Sequence, residues 1–207
     1  MKYTSRQLDN LRLSVKEFLD ERRYKHTIGV ENCAARLGEI FCPELISELR
    51  AAALLHDVAK NMSLTEKFDL IKQYGYKMTE DDAATSAAYH SFAAPGAIKK
   101  YFPDFFEEKI CSAVFNHTLG SPDMTLFDEI IFVADYIEEG RTYPACIYVR
   151  DALFSELNSS KSFEEKTVAL HKAVVKSIEY TVNKILSENF SVHSKTVLTK
   201  NAYLALI

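Results

Sequence analysis

The chain has no tryptophan and, across 207 residues, only six glycines and five prolines. A β-rich domain with many tight turns needs more of both, so their scarcity points to long helices joined by short loops. Its four cysteines, Cys33, Cys42, Cys111 and Cys146, include no CxxC pair, which excludes a zinc knuckle and a dithiol redox motif. Isolated thiols of this kind act as small buried hydrophobes in a reducing compartment. Basic excess is also missing, since the net charge is −4. Binding to a nucleic-acid duplex through phosphate neutralisation is therefore not expected. No apolar run approaches the roughly 20 residues that span a bilayer, and the start MKYTSRQLDNLR lacks the apolar core of a signal peptide. These absences predict a cytoplasmic protein with no membrane partner.

What is present is an ordinary globular composition, 47% hydrophobic and 26% charged, in a chain long enough for one full core. Leu8, Leu11, Val15, Phe18 and Leu19 form one apolar stripe, so residues 5–22 read as a first helix. Others are expected at 26–40, from Pro43 to about His56, from Ser63, and over 90–101, 104–117, 123–139, 145–157 and 162–187. Ser63 with Glu66 three residues on is a capping box. Segments 75–85 and 188–195 read as loops. With no repeat and no Pro-, Gly- or Ser-rich linker, the expectation is one all-α helical bundle over 1–207.

Two acids stand where that bundle should be apolar. Ala51-Ala52-Ala53-Leu54-Leu55 leads straight into His56-Asp57, with Val58 and Ala59 following. Ile130-Ile131-Phe132-Val133-Ala134 leads into Asp135. An ionised carboxylate in such a setting is costly unless it is paired or bound to a metal. Each acid alone reads first as a structural residue with a basic partner. Four histidines in separate predicted helices, His26, His56, His90 and His117, change that reading. Four imidazoles and two carboxylates at element ends fit a metal site where a bundle converges. The donor set suits Fe, Mn, Co, Ni or Zn better than Ca or Mg.

The ordered set His26, His56-Asp57, His90, His117 and Asp135, with Lys60 three residues past the doublet, resembles the HD-domain phosphohydrolase superfamily. RRYKHTIGVE at 22–31, LLHDVAK, NHTLG at 116–120, ADYIEEGRTYP at 134–144 and the tail SVHSKTVLTKN at 191–201 are similar to the bacterial HD-type symmetrical diadenosine tetraphosphate hydrolases. The likeness runs from about residue 5 to the end. The tail departs from the expected pattern at Ser194 and Lys200, and no glycine directly follows His90. The resemblance implies a divalent transition metal, iron foremost, held by His26, His56, Asp57 and Asp135. His90 and His117 would hold a second metal in a binuclear member and face substrate phosphate in a mononuclear one. The implied reaction is hydrolysis of a phosphoanhydride, with diadenosine tetraphosphate cut to two ADP.

Substrate contacts are expected from Lys60, from Asn61 and Ser63 at the start of a helix whose N–H groups could hold phosphate, and from the Arg141 fork. His193 and Thr196 are expected to meet the nucleotide if the segment 188–207 closes over it. Three alternatives stay open: a nucleoside mono- or triphosphatase, a cyclic-nucleotide phosphodiesterase, and a non-catalytic nucleotide-binding HD module. A homodimer is compatible with all of these readings.

Overall fold

The computed structural model describes residues 2–207 and contains α-helices and 3₁₀ turns but no strand among them. The helices are α1 (Ser5–Val15), α2 (Glu21–Phe41), α3 (Ile46–Leu55), α4 (Leu64–Tyr74), α5 (Glu80–Ala84), α6 (Tyr89–Tyr101), α7 (Glu108–Asn116), α8 (Leu126–Ile137), α9 (Pro144–Ser159), α10 (Phe163–Ser187) and α11 (Ser194–Leu204). No helix is long and apolar enough to cross a membrane.

Several ends differ from the sequence expectation. The first helix tightens into a 3₁₀ turn at Lys16–Phe18. The second begins at Glu21 rather than 26, because the Asp20 side chain accepts from the Arg23 N–H at 2.8 Å and caps it. His26 therefore lies in the second turn of α2 and does not open it. The 75–85 loop contains α5, with a Thr79–Asp82 capping box. The loop expected at 188–195 ends at Ser194, where α11 begins and packs on α10.

The bundle is organised around α3. Ala51 to Leu55 are all fully buried, as their unbroken apolar run requires. Helix α2 packs on α3 and α8, and α7 packs on α3, α6 and α8. Three small alanines in a row let those neighbours come close. Helix α8 places Ile130, Ile131, Val133 and Ala134 in the same core. The C-terminal ends of α3, α7 and α8 meet the second turn of α2 and the first turn of α6, and there the acids and histidines collect.

Helix α11 is anchored by polar contacts. Its buried residues are Thr196, Thr199 and Tyr203. The Tyr203 hydroxyl donates to Glu129 Oε1 at 2.7 Å inside the core, and Thr196 donates to the Leu119 carbonyl at 3.1 Å. Thr199 lies against Gly120, whose φ of 74° and lack of a side chain suit it to that turn. Tyr203→Phe leaves the Glu129 oxygen buried without its donor. It should lower unfolding stability by about 1–3 kcal/mol in urea denaturation. Unchanged stability would mean that α11 is not docked in solution.

Candidate metal centre

The adjacent pair His56-Asp57 caps the end of α3, where the chain leaves the helix in tight turns. His56 is fully buried and Asp57 is 3% exposed. The His56 ring is oriented from below, since Nδ1 donates to the Ala53 carbonyl at 2.7 Å. That bond leaves Nε2 as the lone-pair nitrogen, and Nε2 is buried with no hydrogen-bond partner. It faces Asp57 Oδ2 at 3.6 Å and Asp135 Oδ1 at 3.9 Å. His117, at the end of α7, repeats the arrangement: Nδ1 donates to the Val114 carbonyl at 2.7 Å. Its Nε2 lies 3.7 Å from Asp57 Oδ1 and 3.1 Å from His90 Nε2.

Asp57 stands between two groups of ligands. One oxygen faces His56 and the other faces His90, at 3.1 Å, and His117. Across the cluster, Asp135 Oδ1 lies 2.9 Å from His26 Nε2. That nitrogen is buried and makes no hydrogen bond despite the short distance, so ring and carboxylate sit side by side. Once the ring gives up its Nε2 proton, two acceptor atoms arranged in this way suit a shared cation. Three overlapping sets, His26–His56–Asp57, His56–His117–Asp135 and Asp57–His90–His117, each place one donor atom per residue within 4.8 Å of the others. All six residues singled out from sequence thus meet at one place. The orphaned His56 nitrogen and the N/O donor set fit a divalent transition metal.

The surrounding charges reinforce this. Burial would raise the Asp57 carboxyl, but His56, His117 and His90 hold it well below the usual range. Burial likewise opposes ionisation of Asp135, and Arg141, His26 and His56 hold that carboxyl well down. Burial pushes His56 down to about 4 and His90 to about 3, so both rings are neutral at pH 7. His26 goes the other way. Burial lowers it, but Asp135 and Glu138 outweigh that and raise it to about 9.

The expected substrate residues divide. Lys60 is at the centre, with its ammonium 3.1 Å from His90 Nε2 and 3.9 Å from Asp57 Oδ1. The Arg141 fork is not free in this state: it donates to Asp135 Oδ1 at 2.6 Å and to the Asp135 carbonyl at 3.0 Å. Asn61 is exposed and donates to Asp20 at 3.2 Å. Ser63 caps α4 as expected, but its N–H and hydroxyl both go to Glu66, so the cap is satisfied internally. His193 is 6% exposed, with Nε2 bonded to Asp82 Oδ1 at 3.0 Å and Nδ1 accepting from the Lys195 N–H. Both ring nitrogens and the Thr196 hydroxyl are committed within the protein, so here they dock α11 and do not present a nucleotide surface.

Three contributors escaped the sequence reading. Arg23 donates to Asp57 Oδ2 at 2.6 Å. Glu138 accepts from His26 Nδ1 at 3.1 Å. The Thr118 hydroxyl lies 3.2 Å from His90 Nε2 and 3.1 Å from His117 Nε2. A signal existed for the first two: Arg23 lies three residues before His26 and Glu138 three after Asp135, one helical turn each.

An all-α bundle that gathers these histidines and carboxylates, with cations beside them, defines the class of HD-type phosphohydrolases. The chain belongs to the HD domain family, which matches residues 23–140. It is 28% identical over 188 residues to a symmetrical bis(5'-nucleosyl)-tetraphosphatase of Staphylococcus aureus, covering 91% of this chain and 90% of that one. A symmetrical bis(5'-nucleosyl)-tetraphosphatase of Halalkalibacterium halodurans is 30% identical over 191 residues, covering 92% and 93%. A solved structure from Clostridium acetobutylicum, described as a predicted HD superfamily hydrolase involved in NAD metabolism, superposes with a TM-score of 0.81 at 27% identity, over 95% of this chain and 96% of that one. The protein is an enzyme, a phosphohydrolase.

The titrations give a pH signature for the metal-free protein. His26 is raised above 6.5, so its stabilising contribution is complete below pH 6.5 and is lost as pH rises to about 9. His56 is lowered to about 4, so its contribution is complete above pH 6.5 and is lost as pH falls through about 4. Chemical denaturation of the metal-free protein should show stability falling on both sides of neutrality. The alkaline limb should flatten in His26→Gln, and an unaltered limb would reassign it to another group.

Proposed function

We propose that the protein is a metal-dependent phosphoanhydride hydrolase that cuts diadenosine tetraphosphate symmetrically into two ADP. The observation that supports this best is the double match. The cluster of His26, His56, Asp57, His90, His117 and Asp135 fits a metal, and two relatives that match nine tenths of the chain are symmetrical tetraphosphatases. His26, His56, Asp57 and Asp135 would hold the metal, and His90 and His117 would hold a second one or face the substrate phosphate. A divalent ion there supplies Lewis acidity, drawing charge from a phosphoryl oxygen and making water more acidic.

The chain's own residues do the rest. Lys60 places an ammonium against the same oxygens and compensates phosphate charge. Arg141 holds Asp135 in place and Arg23 holds Asp57, which keeps both carboxylates ionised and oriented. Neutral His90 acts as a proton acceptor or a ligand in this state, and Lys60 is the nearest proton donor to it. Placing the reactants and excluding water then carries much of the rate.

Asp57→Ala should abolish metal content, read by elemental analysis, together with hydrolysis. Full occupancy with normal turnover would remove Asp57 from the site. The cleavage position is tested separately, by hydrolysis of diadenosine tetraphosphate in oxygen-18 water followed by mass spectrometry. The expected products are two ADP, one labelled on its terminal phosphate. Formation of ATP and AMP would overturn the symmetrical assignment and leave the metal centre standing. Brisk turnover of a mononucleotide, with none of the dinucleotide, would favour a nucleotidase.

A further inference from the structure

Glu138 is a third buried acid at this end of the bundle, and nothing in the reaction above uses it. It lies just past α8 and is 3% exposed. Its main chain is pinned by Arg150, which donates to the Glu138 carbonyl and, at 2.8 Å, to the Arg141 carbonyl. One carboxylate oxygen accepts from His26 Nδ1 at 3.1 Å. The other accepts from the Gly140 N–H at 2.6 Å. A buried carboxylate held this firmly is costly to fold around, so a return for it is expected.

Gly29 supplies the second half of the observation. It sits inside the 21-residue helix α2, three residues past His26, where glycine is unfavourable. Its φ is not positive, so backbone conformation does not call for glycine. Space does. A Cβ at position 29 would overlap Glu138 Oε2 and come within 2.9 Å of Glu138 Cδ. Gly140 closes the far side, since a Cβ there would lie 2.9 Å from Oε2 and 3.1 Å from Oε1. The two glycines leave a slot that fits one carboxylate, directed at the outer nitrogen of His26.

We propose that Glu138 is the positioning residue for His26, and that position 29 is glycine to admit its carboxylate. The inference rests on the reading of His26 as a metal ligand. Glu138 fixes the ring with Nδ1 as donor, so that Nε2, beside Asp135, is the lone-pair nitrogen of the neutral ring. A carboxylate on the outer nitrogen also makes the inner one a stronger ligand. Gly29 and Glu138 therefore act as one unit across α2 and the α8–α9 turn.

The test is titration of the metal-free protein with cobalt(II), followed by its visible absorption and by competition with a chelator. Glu138→Ala and Gly29→Ala should each weaken cobalt binding by about 10–100-fold. The double variant should be no weaker than Glu138→Ala alone, because both changes remove the same contact. Glu138→Gln should recover part of the affinity, since an amide oxygen can still accept from Nδ1. Equal cobalt affinity in wild type and all variants would overturn the positioning role while leaving the metal reading intact. A wild-type protein that takes up no cobalt would overturn the metal reading itself. Additive losses in the double variant would make the two residues independent and defeat the proposal. If Glu138→Ala does not fold, nitrogen-15 shifts of His26 in Gly29→Ala decide: a ring still protonated only at Nδ1 in the cobalt-free protein at pH 10 would refute it.

Discussion

The constraint on which the rest depends is the burial of Asp57. Its carboxylate sits at 3% exposure just past a helix whose last five residues are alanine and leucine. A charge there has to be matched by fixed partners, and the fold supplies them from every side. The cations Arg23 and Lys60 come from α2 and from the turn past Asp57, and the rings of His56, His90 and His117 converge on it from the same turn, α6 and the end of α7. Each partner explains a piece of architecture. The α3 alanines let α2 and α7 approach. The α7 end must stop where His117 can turn inward, and α6 must begin where His90 can reach.

The same logic extends one layer out. His56 and His117 are both oriented by carbonyls three residues behind them in their own helices, so the helix ends aim the rings. His26 lies within α2 rather than at its end, and a nitrogen pointing out of the helix finds no such carbonyl. It is served by a carboxylate from another element. The loop carrying His117 and Thr118 is held in turn by α11, through Thr196 on Leu119 and Thr199 on Gly120. The C-terminal helix is thus coupled to the site through the main chain of that loop, without a side chain in the metal cluster.

The helical class and the six clustered residues were legible in the sequence because each violated a local expectation. An acid after five apolar residues is visible without a structure. What escaped was whatever obeyed the local pattern. Arg23 and Glu138 read as surface charges at helix ends, and only their one-turn offset from His26 and Asp135 marked them. Helix α5 has five residues, too few for a periodic signal. Helix α11 buries Thr196, Thr199 and Tyr203, a stripe that scans as polar because hydroxyls, not hydrocarbon, face the bundle. The Arg141 fork, expected at phosphate, is engaged with Asp135 in this structure, because a fork suited to phosphate is equally suited to the carboxylate six residues earlier.

Local charge explains how a chain of net charge −4 could take the polyphosphate proposed as its substrate. The site contains three carboxylates, Asp57, Asp135 and Glu138, and three basic side chains, Arg23, Lys60 and Arg141. These cancel before anything binds. The metal-free protein at neutral pH adds one further charge, the proton that the surrounding carboxylates keep on His26 up to about pH 9. If His26 holds a divalent ion as proposed, it would give up that proton, so a gain of two charges would be partly offset by a loss of one. The loaded site would then be positive among buried side chains, where an uncompensated charge is expensive. Phosphate oxygens are the groups that can neutralise it. The residues proposed to hold the metal and those proposed to attract the substrate would therefore be parts of one balance.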